Sequence, residues 1–289
     1  MWWMVMVFAG ERPGVILADP EHPLVLACTE AVGDKRMTGC VERLARRDEP
    51  AAEVKACIEL SDEKMIQACT ERLERRRKHD ASGTINGCAT HFDDLKLDCV
   101  VRTEEALTGL GSTIEACTEA FGDDKDGLVC VERFVLNKVD SGAGIRACVD
   151  RMGDLADKCV ERIATARAPM ENVIEECSAG AADAKEALGC VSTFTGARVD
   201  PAPGIRACDT VFSELRPKCL QQVARAEATL ENVIPACLEV YGTQDEALKC
   251  VERFQTARAD EGAAILACRD HMPERYRDEC ITRLGIAAA

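Results

Sequence analysis

The sequence predicts an all-α fold: a tandem array of about nine helical hairpins, each closed by its own disulfide, that together form an α-solenoid. Two observations predict it. The 18 cysteines alternate without exception between short gaps of 11 to 13 residues and long gaps of 17 to 19. Apolar residues also flank the cysteines at fixed distances. One short and one long gap make a unit of about 30 residues, and such a period indicates a repeat protein. Every second unit matches best, which gives a higher period of about 60 residues.

The flanking residues predict helices independently of the cysteines. The position three residues before the first cysteine of each unit is always β-branched: Val25, Val54, Ile85, Ile114, Ile145, Ile174, Ile205, Ile234 and Ile265. The position four residues after the second cysteine is apolar in eight units: Leu44, Leu73, Phe134, Ile163, Phe194, Val223, Phe254 and Leu284. Only Thr103 departs. Spacings of three and four place side chains on one face of a helix, and the alternation typical of a strand is absent. Each unit is therefore predicted to be a short helix, a tight turn and a longer helix.

Glycines and prolines fall where these hairpins need breaks. Four glycines are predicted at hairpin turns: Gly33, Gly122, Gly153 and Gly242. Four prolines are predicted between units: Pro50, Pro169, Pro201 and Pro203. In the eighth unit the predicted helices cover residues 231–241 and 244–258. Pro235 fits the first of them only if that helix begins near Asn232 or Val233, because proline is tolerated in a first turn.

The short gap predicts a disulfide within each hairpin. In an antiparallel hairpin, residues at equal distances from the turn face each other, as Cys237 and Cys250 do about six residues to either side of the turn. Pairing along the long gaps would leave Cys28 and Cys280 without partners. The predicted pairs are Cys28–Cys40, Cys57–Cys69, Cys88–Cys99, Cys117–Cys130, Cys148–Cys159, Cys177–Cys190, Cys208–Cys219, Cys237–Cys250 and Cys268–Cys280. Closing such a loop stabilises a fold by about 3 kcal/mol in the chain-entropy model.

Two other interpretations of the cysteines remain open at this stage. They could be free thiols in the core of a cytosolic helical repeat, since thiol cysteine packs well. They could also line a copper or zinc store inside the cell. That interpretation would favour cysteines three or four residues apart on one helix, whereas each predicted helix carries one.

Composition supports a disulfide-linked repeat. Aromatic residues make up only 4% of the 289 residues, so the core must be built from small aliphatic side chains in thin layers. The cysteines are even in number and show no zinc-finger or C-x-x-C spacing, which is typical of an oxidising compartment: secreted, periplasmic or luminal. The net charge of −15 disfavours nucleic acid and anionic membranes as partners.

The chain is predicted to begin with an apolar segment, residues 1–20, before the array of residues 21–289. Met1 to Ala9 are uniformly apolar but too few to span a bilayer, which takes about 20 residues. The segment fits an atypical or truncated secretory signal that lacks the usual positive start, or a retained strand or helix that packs on the first repeat.

Arginines provide the candidate binding residues. The one basic concentration comprises Arg75, Arg76, Arg77 and Lys78; it is either a solvated helix end or a patch that binds an acidic partner. Arginine also recurs three residues after the second cysteine: Arg43, Arg72, Arg102, Arg133, Arg162, Arg253 and Arg283. These residues predict either a ladder of ion pairs within the array or a stripe that faces a ligand.

The segments GIRACVDRMGDLADKCVERI, GIRACDTVFSELRPKCLQQV and ILACRDHMPERYRDECITRL resemble the cysteine-rich repeat of the Golgi cysteine-rich fibroblast-growth-factor-receptor type. The resemblance runs from about Cys57 to Cys280 and is carried by alternate hairpins. It implies a luminal or secreted binding protein. No catalytic, phosphate-binding or dinucleotide-binding motif is present in the sequence, so we expect no enzyme activity, cofactor or metal, but a protein partner or self-assembly.

Overall fold

The computed structural model describes residues 19–47, 49–73 and 81–289. This part of the chain contains eighteen α-helices and no β-strand, which confirms the predicted all-α class and its tandem hairpins. Residues 1–18 of the predicted N-terminal segment lie outside the described residues.

The helices follow one another as nine pairs, which we call hairpins 1 to 9. In chain order they are α1 (Pro23–Val32), α2 (Asp34–Leu44), α3 (Pro50–Ile58), α4 (Glu63–Leu73), α5 (Ser82–His91), α6 (Lys96–Arg102), α7 (Gly111–Phe121), α8 (Asp124–Phe134), α9 (Gly142–Met152), α10 (Ala156–Ile163), α11 (Glu171–Ala179), α12 (Ala184–Phe194), α13 (Ala202–Val211), α14 (Arg216–Arg225), α15 (Val233–Tyr241), α16 (Gln244–Glu252), α17 (Gly262–His271) and α18 (Glu274–Ala288). A short 3-10 turn, Gly153–Leu155, precedes α10.

The hairpin turns use the residues that the sequence marks. All four predicted turn glycines have positive φ, from 50° at Gly153 to 74° at Gly242, a conformation that other residues rarely adopt. Three of the helices that follow a turn begin on a side-chain cap, since Asp123, Asp183 and Thr243 each accept a backbone N–H from the first turn. These three caps lie 60 residues apart.

Helix lengths differ from the prediction. The second helix of a hairpin is not consistently the longer one: α6 has 7 residues and the preceding α5 has 10. In hairpin 8, α16 ends at Glu252 rather than at residue 258. The chain tightens there into successive i+3 turns, in which Phe254 N donates to Val251 O at 3.0 Å and Ala257 N to Phe254 O at 3.1 Å.

Prolines mark helix starts as well as linkers. The helix α15 begins at Val233, so Pro235 falls in its first turn as expected. Pro50 and Pro203 were predicted between units, and that placement is wrong by one turn. They lie in the first turns of α3 and α13, where a missing N–H costs no helical hydrogen bond.

The helices pack in two layers within each of two compact units, one ending at Gly142 and the other formed by Ala143–Ala289. In the first unit, the first helices of successive hairpins pack side by side as α1, α3, α5 and α7, and the second helices as α2, α4 and α6. In the second unit the same two layers comprise α11, α13, α15 and α17, and α10, α12, α14 and α16. Each helix thus contacts its hairpin partner and its neighbours in the stack.

The core lies between the two layers. All nine β-branched residues that precede the first cysteines are buried there. The aromatic side chains Phe134, Phe194 and Phe254 are buried at equivalent positions of the second layer. Thr103, the residue that departs from the apolar pattern, is also buried, and its hydroxyl donates to the carbonyl oxygens of Cys99 and Val100. Its polar atom is therefore satisfied.

Candidate functional site

The eighteen cysteines form the nine predicted disulfides. Cα–Cα distances run from 5.6 to 5.9 Å, within the normal range for a bridge. Every bridge joins the two helices of one hairpin and so links the two layers. No cysteine is free, so none offers the thiolate that a soft-metal store needs. Among the described residues, no three metal-ligating side chains cluster in a way that could hold an ion.

Aspartates 60 residues apart tie each even hairpin to the next odd one. Asp260 accepts the N–H groups of Asn232 (2.9 Å) and Val233 (3.1 Å) before and at the start of α15, and that of Gly262 (3.3 Å) at the start of α17. Asp200 and Asp140 accept the corresponding N–H groups of Ala202 and Gly142, both at 3.0 Å. The first N–H groups of a helix lack partners within it, and one carboxylate supplies them for two stacked helices at hairpin 8 to 9.

Main-chain hydrogen bonds tie each odd hairpin to the next even one at the same period. They run from Leu107 N to Val135 O (3.2 Å), from Arg167 N to Thr195 O (3.3 Å) and from Glu227 N to Gln255 O (2.9 Å). The sequence analysis missed both junctions. The signal for the aspartates was present, because Asp80, Asp140, Asp200 and Asp260 share a strict spacing of 60 residues.

The recurrent arginines contribute to an ion-pair ladder between hairpins. Arg72 pairs with Glu104 at 2.9 Å, Arg102 pairs with Glu132, and Arg253 pairs with Asp278 at 2.8 Å. In each pair the carboxylate belongs to the following hairpin. Arg283 pairs instead with Glu279 of its own helix at 2.6 Å. These contacts favour the ladder over a stripe that faces a ligand.

Tyr241 and Asp278 strengthen the junction between hairpins 8 and 9. The Tyr241 hydroxyl donates to the Asp278 carboxylate at 2.7 Å, and the same carboxylate accepts from Arg253. Burial and this hydrogen bond raise the pKa of Tyr241 to about 12. The hydrogen bonds from Arg253 and Tyr241 lower the pKa of Asp278.

The predicted basic patch, Arg75, Arg76, Arg77 and Lys78, lies outside the described residues. A buried ion pair holds the chain on both sides of it. Glu53 in α3 is 1% exposed and pairs with Arg47, whose side chain is 6% exposed. Arg47 Nη1 donates to Leu73 O at 2.7 Å, and Ala81 N donates to Glu53 Oε1 at 3.1 Å. The pair therefore joins hairpins 1, 2 and 3.

The surface carries shallow grooves between neighbouring helices. One, with a volume of about 590 Å³, lies between α3 and α5 and is lined mainly by small and polar side chains. Another of about 390 Å³ lies between α9 and α11, among arginines and carboxylates. A third of about 590 Å³ lies between hairpins 3 and 4, and its lining includes Val101, Val135 and Leu136. This third groove combines volume with exposed apolar surface.

Comparison of the chain with protein-family models, with curated proteins and with solved structures finds no match. Within the described ranges, no helix has the length and apolar character needed to cross a bilayer. The nine disulfides are typical of a protein in an oxidising compartment.

Proposed function

We propose that this protein is a non-catalytic binding or structural protein, secreted, periplasmic or luminal, whose stacked hairpins present their outer helix faces to a protein partner. The observation that carries the proposal is the use made of polar and sulfur groups. The cysteines close hairpins, and the aspartates and arginines described above join neighbouring hairpins. Stacked repeats of this kind commonly offer an extended surface for binding.

The resemblance of alternate hairpins to the Golgi cysteine-rich repeat supports the same proposal. That family's repeat also carries four cysteines in about 60 residues, and it implies a luminal or secreted setting. The soft-metal alternative is not pursued, because disulfide sulfur is not a thiolate ligand.

The compartment is tested by intact mass spectrometry of protein isolated from its host and alkylated before any reductant is added. We expect no alkyl groups on the native protein and eighteen after reduction, the number of cysteines in the chain. Free thiols in the native protein would contradict an oxidising compartment. The same spectrum reports any N-terminal cleavage.

Binding is tested in the host with a photo-crosslinking amino acid placed at one exposed position per variant, such as Glu119 on the first layer and Val129 on the second. We expect adducts with one protein from positions that are contiguous on a layer. A crosslinker at the buried position Ile114 is the control and should give none. If no exposed position of either layer gives an adduct, the proposed binding function is wrong.

A further inference from the structure

The groove between hairpins 3 and 4 exposes apolar side chains. Its lining comprises Val101, Arg102, Glu104, Glu105, Glu132, Val135 and Leu136. Leu136, just beyond the end of α8, is 67% exposed, and Val129, two turns earlier on α8, is 46% exposed. Large apolar side chains with this exposure on neighbouring turns are typical of contact surfaces when they form a patch.

The repeat itself shows that the fold does not require these apolar residues. The equivalent positions 60 and 120 residues later belong to hairpins 5 to 8, which have the same two-helix design. There the side chains are polar, charged or absent: Glu161 and Gln221 for Val101, Gly189 and Lys249 for Val129, Thr195 and Gln255 for Val135, and Gly196 and Thr256 for Leu136. Four positions in one place have become apolar together, and packing of the hairpin does not explain them.

The rim of this groove is acidic, and it also differs from the later repeats. Glu104 and Glu105 correspond to Ala164 and Thr165 in hairpin 5. Glu104 pairs with Arg72 at 2.9 Å, and Glu132 pairs with Arg102. Glu105 is exposed. Carboxylates thus outnumber cations among the groove-lining residues, and the net charge of −15 adds a long-range attraction for a cationic ligand.

We propose that this groove binds a basic amphipathic segment of another protein. Apolar side chains of the segment pack on Val101, Val135 and Leu136, and its lysines or arginines lie against Glu105 and Glu132. The proposal rests on the proposed binding function and names the chemistry of the partner. An anionic lipid surface would be repelled by the same carboxylates.

The test uses two fluorescent model peptides and the full chain. One peptide is an amphipathic helix of leucine and lysine; the other replaces every lysine with glutamate. Fluorescence anisotropy should show binding of the lysine peptide and none of the glutamate peptide. The double variant V101Q/L136T, which installs the side chains of Gln221 and Thr256, should bind at least about tenfold more weakly, as expected when central apolar contacts are lost. Because this variant keeps the net charge, non-specific attraction is unchanged.

A matched variant checks the surface from the other side. Leu26→Thr removes an exposed leucine of α1 outside the groove and should leave binding unchanged. Glu105→Gln should weaken binding and reduce its dependence on salt. Equal binding by wild type and V101Q/L136T, binding of the glutamate peptide, or no binding of either peptide would overturn the proposal. A concentration-dependent dimer that V101Q/L136T abolishes would also overturn it, in favour of a second copy. If crosslinking in the host still finds a partner at other positions, the groove assignment alone fails; if it finds none, the proposed function fails too.

Discussion

Glu53 shows how one residue can depart from the rule that its repeat position sets. It lies four residues before the first cysteine of hairpin 2, and the same position holds Leu24, Thr84, Val173 and Val233 elsewhere. All of these side chains are buried, and so is Glu53. A carboxylate is tolerated here because Arg47 and the Ala81 N–H satisfy it.

Replacing Glu53 with alanine should therefore be costly. The change leaves the Arg47 guanidinium buried without its counter-charge, and breaking such a pair costs about 3 to 5 kcal/mol. Urea unfolding of the full chain would measure the change in the free energy of unfolding. Glu59→Ala, at an exposed position just after the same helix, is the matched control and should stay within about 0.5 kcal/mol. Equal effects of the two variants would show that the buried pair does not stabilise the fold.

Tyr241 gives a prediction for alkaline pH. Its pKa is raised to about 12 by burial and by the hydrogen bond to Asp278. An acid group with a raised pKa stabilises the fold fully below its unfolded pKa of about 10, and this contribution is lost as the pH rises through 12. Absorbance titration at 295 nm should show one tyrosine ionising near pH 12, and Tyr241→Phe should remove that step. Persistence of the step in the variant would assign it to Tyr276, the other tyrosine of the chain.

At the level of helices and junctions, the sequence predicts pairing better than length. The cysteine spacing identified all nine bridges, because residues equidistant from a turn must face each other. Helix ends were less predictable, since the turns after Glu252 are closed by i+3 backbone bonds that leave no side-chain signature. The junction aspartates had a signature, but it appears only at the period of 60 residues, not at the period of about 30 that the cysteines mark.

The aspartate junctions should matter for stability. Asp260→Ala removes the acceptor for the N–H groups of Asn232, Val233 and Gly262. Loss of a capping acceptor at a helix start costs about 0.5 to 2 kcal/mol, and here two helices share one acceptor. Hydrogen exchange should accelerate in the first turns of α15 and α17. The neighbouring Glu261 makes no side-chain cap, so Glu261→Ala is the control. Unchanged exchange in Asp260→Ala would mean that water replaces the carboxylate without loss.

At the scale of the whole molecule, stability should be distributed along the stack. Helices contact their hairpin partner and the neighbouring hairpins, so the free energy of unfolding should behave as a sum of unit and interface terms. Acidic rim, apolar groove and ion-pair ladder could not be assigned from the sequence, because each depends on which side chains of successive hairpins come together. The repeat period supplies that information only once the stacking is known.

A disulfide variant tests the distributed stability directly. Hairpin 7 packs on hairpins 6 and 8 through α13 and α14, and its bridge Cys208–Cys219 is buried. Replacing both cysteines with alanine should cost about 2 to 5 kcal/mol, the usual loss for a native bridge. Hydrogen exchange followed by mass spectrometry should accelerate in α13, α14 and their direct neighbours, while α1 and α3 keep their protection. Thr210→Ala, at an exposed position of α13, should change little. If all hairpins lost protection together, the chain would unfold as one cooperative globule, because only then could a local change reach helices that share no contact with hairpin 7.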